Sequence, residues 1–168
     1  MDSISEQFGR IYDQYIEKIY RFVYLKVNSQ ETAEDITSRV FSNGWEYYRN
    51  GKEILNPKAF LYQIARNMVT DHYRTNSEAR LVSMDIVPQI KDNRTDLHER
   101  AIFNSDVHEV KSAIQKLKKD YQDVIIWHYL EDMTFDEISE ILGKPASTVR
   151  VMVHRGLKSL KEELGMES

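Results

Sequence analysis

The sequence predicts an all-α protein of two small helical bundles joined by a partly apolar linker, the C-terminal bundle containing a helix-turn-helix. Three observations carry that prediction. Apolar residues recur at spacings of three and four through most of the chain, the period of one helix face. Only six glycines and three prolines occur among 168 residues, too few for a turn-rich β fold. Between residues 76 and 104 the period fades, dividing the chain into 1–75, 76–104 and 105–168.

In the N-terminal part, Ile4, Phe8, Ile11, Tyr12, Tyr15, Ile16, Ile19, Tyr20 and Val23 mark the first helix, which Asn28 and Ser29 end. A second is expected from about Glu31, with Ala33, Ile36, Val40, Phe41, Trp45 and Tyr48 on its apolar face. Acidic Glu31, Glu34 and Asp35 lie in its first turns, where the helix dipole favours negative charge. Asn50 and Gly51 punctuate its end. Asn56-Pro57 reads as an N-cap followed by proline at the first helical position. The third helix carries Phe60, Leu61, Ile64, Ala65, Met68 and Val69 and is expected to reach Arg74.

The linker contains Pro88 and many short polar residues. Leu81, Val82, Met84, Ile86, Val87 and Ile90 nevertheless make it too apolar for a freely solvated spacer, so it is expected to pack on something in at least one state. Beyond it, Val107, Val110, Ile114 and Leu117 form one short face; Lys118-Lys119-Asp120 marks a break; Tyr121, Val124, Ile125 and Tyr129 begin the next helix. Two further helices are expected at 135–142 and from 146 to about 164.

That last pair is the most informative local pattern. Thr134 followed by Glu137 predicts a capping box. Gly143 supplies the left-handed residue that closes a helix, and a new helix starts within a few residues. Ile138, Leu142, Val149, Val153 and Leu157 are expected to be its buried contacts. From 144 to 161 the charged residues are Lys144, Arg150, Arg155, Lys158 and Lys161, all positive. Ser147, Thr148, Arg150, Val151, His154, Arg155 and Lys158 are expected on its outward face, where a recognition helix meets a major groove. A solvated basic helix is the bland alternative, but capping box, glycine turn and uniform charge together favour DNA.

A second basic and aromatic region lies in the N-terminal part. Tyr47, Arg49, Asn50 and Lys52 surround the turn after the second helix, and Asn56, Lys58, Arg66 and Arg74 follow. Aromatic rings beside basic and amide groups can stack on unpaired bases and hold their backbone. Trp45 and Tyr48 fall on the apolar face and are expected in the core; Tyr47, one step off it, is expected outside.

Other function classes are disfavoured. There is no cysteine, which removes disulfides, thiolate catalysis and cysteine-based zinc sites and fits a cytoplasmic setting. The N-terminal residues lack the basic and apolar blocks of a signal peptide, and no stretch is long and apolar enough for membrane insertion. His72, His98, His108, His128 and His154 never fall at helical metal-site spacing. No glycine loop for phosphate appears, so neither an enzyme nor any cofactor is expected.

Taken together, the motifs resemble an extracytoplasmic-function (ECF) sigma factor, a promoter-specificity subunit of bacterial RNA polymerase. Ala33-Glu34-Asp35-Ile36-Thr37-Ser38-Arg39-Val40-Phe41 is similar to the polymerase-binding helix of sigma region two. The run from Asn56 to Asn67 with Asp71-His72-Tyr73-Arg74 resembles the −10-reading helix. Ser147 to Lys158 resembles the −35-reading helix of region four. The resemblance implies that Glu34, Asp35 and Arg39 contact the β′ clamp of core polymerase. It implies that Asn67 and the turn from Arg49 to Asn56 hold the separated −10 strand and a flipped base. It further implies that region four binds the β flap. Two departures stand out: Arg39 where the family often has an acid, and Phe60 for its usual tryptophan.

The alternative is a stand-alone helix-turn-helix regulator binding duplex DNA as a dimer. The chain's formal charge of −4 argues at first against nucleic acid. Its distribution changes that reading, because the segment 105–168, with nine basic and twelve acidic side chains, also holds the all-positive helix. Acids elsewhere would suppress indiscriminate DNA binding by the free chain. An anti-sigma factor, or association of the two bundles with each other, is expected to hide the polymerase-binding surfaces.

Overall fold

The computed structural model describes residues 3–82 and 105–166. All regular elements there are helical. They are α1 (Ile4–Lys26), α2 (Gln30–Arg49), α3 (Pro57–Val82), α4 (Ser105–Gln115), α5 (Lys119–Ile125) running into a π turn (Ile126–Leu130), α6 (Phe135–Leu142) and α7 (Ala146–Glu163).

Helix ends follow the local chemistry. The Ser3 hydroxyl accepts from the Glu6 N–H at 3.1 Å, and the Ser29 hydroxyl from that of Thr32 at 3.1 Å. Asn56 Oδ1 accepts from the Ala59 N–H at 3.1 Å ahead of Pro57, as its sequence signature predicts. The helix so started runs past Arg74 to Val82, taking the first residues of the expected linker into regular structure. The expected packing of Met84, Ile86, Val87 and Ile90 lies outside the described residues.

α1, α2 and α3 pack on one another through the faces their periodicity marks. Gly44 lets α2 come close: a Cβ there would stand 3.3 Å from Phe8 Cζ and 3.5 Å from Leu61 Cδ2. Trp45 and Tyr48 are half-buried, their rings 5.5 and 5.9 Å from that of Phe8. In the C-terminal half, Gly156 brings α7 onto α5, where a Cβ would meet Ile125 Cγ1 at 3.1 Å. Ile138, Val149 and Val153 are buried as expected, but Leu142 and Leu157 are only half-buried, and Ile141 and Gly156 take inner positions instead. Val107, on the expected short apolar face, and Tyr129 are exposed.

The two halves are not separate. One hydrophobic cluster runs through both of them. Its centre is Trp127 in the π turn, 0 % exposed, with its ring 5.3 Å from and nearly parallel to that of Phe22. Tyr62 of α3 closes on the same ring edge-on at 5.8 Å. Aromatic pairs of this kind contribute about 0.5–1.5 kcal/mol beyond area burial.

Candidate nucleic-acid and polymerase interface

α6 and α7 build the most exposed of the expected surfaces. Thr134 and Glu137 form the full capping box: the Thr134 hydroxyl accepts from the Glu137 N–H at 3.1 Å, and Glu137 Oε1 from the Thr134 N–H at 3.1 Å. Gly143 closes α6 in the left-handed region at φ 67°. The Ser139 hydroxyl donates to the Lys144 carbonyl across the turn, fixing the entry to α7. Buried Val149, Val153 and Gly156 hold one side of α7 inward. The other side therefore presents Ser147, Thr148, Arg150, Val151, His154, Arg155 and Lys158, all exposed, on one continuous face. The Arg150 guanidinium lies 5.4 Å from the centre of the Phe135 ring, which orients it at the N-terminal end of that face.

The N-terminal surface is more divided. Tyr47 is exposed, its ring 4.8 Å from that of Phe60, with the Lys52 ammonium 5.1 Å above it. Arg49, Asn50, Lys52, Asn67 and Arg74 are exposed as well. Arg49 pairs with Glu46 at 3.1 Å and Arg74 with Asp71 at 2.9 Å, both surface contacts of small energetic weight. Leu55, which the sequence reading did not single out, stands 86 % exposed in the same turn.

Asn56 and Arg66 are different, because the C-terminal half bonds them, leaving Asn56 exposed and Arg66 half-buried. Asn56 Nδ2 donates to Glu140. Arg66 donates through Nε to Asp123 at 2.8 Å and through Nη2 to Asp120 at 3.1 Å. Beside them Lys58 bonds Glu137 at 2.6 Å, and Gln63 donates to the Ile141 carbonyl at 3.0 Å. Lys26, 3 % exposed, bonds Asp123, itself 1 % exposed. Lys26, Lys58, Gln63, Asp120, Asp123, Glu137 and Glu140 thus form a polar seam that sequence reading did not find. The one available signal was Asp123 itself, an acid placed directly before the apolar run Val124 to Trp127.

Two carboxyls near the seam titrate unusually. The hydrogen bond from Lys58, then that from the Thr134 backbone, holds Glu137 below the ordinary glutamate range. Burial pushes Glu131 up despite Arg21, whose Nη1 lies 3.0 Å from its Oε1.

The expected polymerase contacts Glu34, Asp35 and Arg39 all remain exposed on α2. Arg39 and Asp35 lie 3.9 Å apart. A groove of about 810 Å³ runs beside them, lined only by α1 and α2, with Tyr12, Ile16, Tyr20, Phe41 and Trp45 supplying its apolar walls and Glu34 on its rim. The bundles do associate, as one of the expected alternatives had it. The association covers residues of α3, however, and leaves these α2 residues open, because the C-terminal half meets α1 and α3.

Two family models match in the order this architecture requires. Sigma-70 region 2 matches residues 11–79, and sigma-70 region 4 matches residues 108–160. The chain belongs to the ECF sigma factor family. Relatives of this sigma factor include the ECF RNA polymerase sigma factor SigW of Bacillus subtilis, 28% identical over 170 residues, covering 95% of this chain and 90% of the relative. Another is BldN of Streptomyces coelicolor, 25% identical over 163 residues, covering 93% of this chain but 60% of the relative. Solved structures share the fold. The sigma factor RpoE of Bartonella quintana, in complex with the anti-sigma factor NepR, superposes with a TM-score of 0.74 at 19% identity, over 96% of this chain and 99% of that one. CnrH, in complex with the cytosolic domain of CnrY, gives 0.66 at 18% identity over 96% and 89%. Among the described residues, no helix is long and apolar enough to cross a membrane.

Proposed function

We propose that this sigma factor binds core RNA polymerase in the bacterial cytoplasm and directs initiation at promoters by reading −10 and −35 elements. Residues 1–75 serve as region two, 76–104 as the linker and 105–168 as region four. The observation that carries the reading is the face of α7. Seven side chains suited to phosphates and base edges stand exposed together on a helix fixed by a capping box and a glycine turn.

On this reading Ser147, Thr148, Arg150, Val151, His154, Arg155 and Lys158 contact the −35 duplex. Tyr47, Arg49, Asn50, Lys52, Asn56, Arg66, Asn67 and Arg74 contact the separated −10 strand. The exposed Tyr47 ring and Leu55 supply apolar surface for unpaired bases beside the cations that hold the backbone. Glu34, Asp35 and Arg39 contact the β′ clamp, and region four contacts the β flap. An anti-sigma factor is a further expected partner, since the structural neighbour RpoE is a sigma factor solved with an anti-sigma factor.

Run-off transcription with core polymerase tests the reading. Promoter-specific product is expected only when this chain is added. Absence of both initiation and polymerase binding would refute it. Tight binding to symmetric duplex half-sites without polymerase would instead support the dimeric regulator.

A further inference from the structure

Of the cations on the outward face of α7, Arg150 alone has its direction set by a neighbour among the described residues. Arg49, Arg66 and Arg74 of the N-terminal half are held by carboxylates, whereas Arg150 leans on the ring of Phe135. That ring is itself braced. Phe135 is the first residue of α6, and the Thr134–Glu137 capping box fixes the backbone there. Its side chain is half-buried and packs on the hydrophobic cluster. The His128 ring stacks on it, 20° from parallel with centres 4.8 Å apart. His128 Nδ1 stands 2.8 Å from the Met133 carbonyl oxygen, which only accepts, so that nitrogen carries the proton and donates. Met133 is buried, and its own N–H donates to the Trp127 carbonyl at 2.9 Å. A chain of contacts thus runs from the π turn through His128 and Phe135 to a guanidinium on the exposed face of α7. Beside the ring a hollow of about 410 Å³ opens between the N-terminal ends of α6 and α7, with Arg150, Ser147 and Asp136 among its walls.

A long side chain gives up rotamer freedom when it binds, and one that is already ordered gives up less. We propose that Phe135 is a positioning residue for −35 recognition, its ring holding Arg150 in the direction of a single base pair before DNA arrives. Phe135 acts through Arg150 and makes no base contact of its own. The base so read is guanine, whose O6 and N7 accept the paired donors of an ordered guanidinium. The inference rests on the sigma-factor reading and adds to it the means by which one base contact acquires its direction.

The test uses holoenzyme assembled from core polymerase and the full-length chain, on a promoter from which the parent initiates. Each base pair of the −35 element is changed in turn, and the run-off product gives the discrimination at each. Arg150→Ala should abolish discrimination at one base pair and so identify it. Phe135→Leu keeps an apolar side chain but removes the ring. It should weaken discrimination at that same base pair about two- to fivefold, the worth of an exposed cation–π contact, and leave the other base pairs as they were. Phe135→Tyr keeps the ring and should restore the discrimination. In an Arg150→Ala background the effect of Phe135→Leu should vanish, whereas in an Arg155→Ala background it should persist. A loss spread evenly over the −35 element, or one that survives without Arg150, would mean that Phe135 shapes the two helices or touches DNA itself, and would overturn the proposal. Full discrimination by Phe135→Leu would overturn it equally. These outcomes are all read on a parent that initiates, so they leave the sigma-factor reading intact. A parent holoenzyme that initiates on no promoter sinks that reading, and this inference with it.

Discussion

Asp123 is the residue on which the seam turns. Both of its oxygens are occupied, one by Lys26 and the other by Arg66, so a carboxylate that is 1% exposed keeps its charge fully paired. Removing one partner of such a pair leaves an uncompensated buried charge. Glu131 is the contrasting case. Its ion-pair partner, Arg21, is half-exposed, and burial outweighs the attraction of Arg21, Lys18 and Lys58 to raise its pKa. A carboxyl whose folded pKa lies above its unfolded value contributes stability below the unfolded value and loses it as pH rises through the folded one. Glu131→Gln should therefore gain on the parent as pH climbs from about 4 to about 7, where the ordinary glutamate has already ionised. Urea unfolding across that range measures the difference. A gap between the two proteins that stays constant with pH would contradict the account.

At the scale of elements, α7 carries the argument. Its inner residues were legible from spacing, and its outer ones from what spacing left over. Arg150→Ala and Arg155→Ala should each reduce −35-dependent initiation, since a bidentate base contact is worth about 1–3 kcal/mol of discrimination. Binding to core polymerase should be unchanged, because the expected polymerase contacts of region two lie on α2; equal loss of polymerase binding would refute that division of labour. α3 illustrates the opposite difficulty. Its start was readable, because Asn56 and Pro57 carry local chemistry. Its continuation past Arg74 was not, because Thr75 and Asn76, read as linker, are tolerated within a helix. Tyr62 was missed for another reason. It sits one step from Leu61 on a helix buried along two sides, and only the arrival of Trp127 makes its side an interior one.

The whole molecule joins two small bundles by a seam that is apolar in the middle and charged at its edge. Halves of this size are expected to be only moderately stable alone. The seam opens a route to partial separation before either unfolds. With Trp45→Phe as background, Trp127 is the one tryptophan left and reports on the seam. Its emission should shift to the red at lower urea than the loss of helical circular dichroism. Coincident transitions would mean that the halves do not persist apart. The charge distribution acquires a physical sense at this scale. Asp120, Asp123, Glu137 and Glu140 are among the acids of the acidic C-terminal segment; the first three face Arg66, Lys26 and Lys58, and Glu140 faces the Asn56 amide, rather than bulk solvent alone.

The sequence by itself determined the helices, their caps, the helix-turn-helix and the outward face of α7. Each of these depends on residues within a few positions of one another, and helical geometry turns such spacing into direction. Tertiary structure alone decided which surfaces are open. Lys26 and Asp123 are 97 positions apart, and Asn56 and Glu140 are 84 apart. Nothing local distinguishes an acid that meets a cation or an amide across such a separation from one that faces water. The pairing exists only because Phe22, Tyr62 and Trp127 close on each other and bring the two charged edges together.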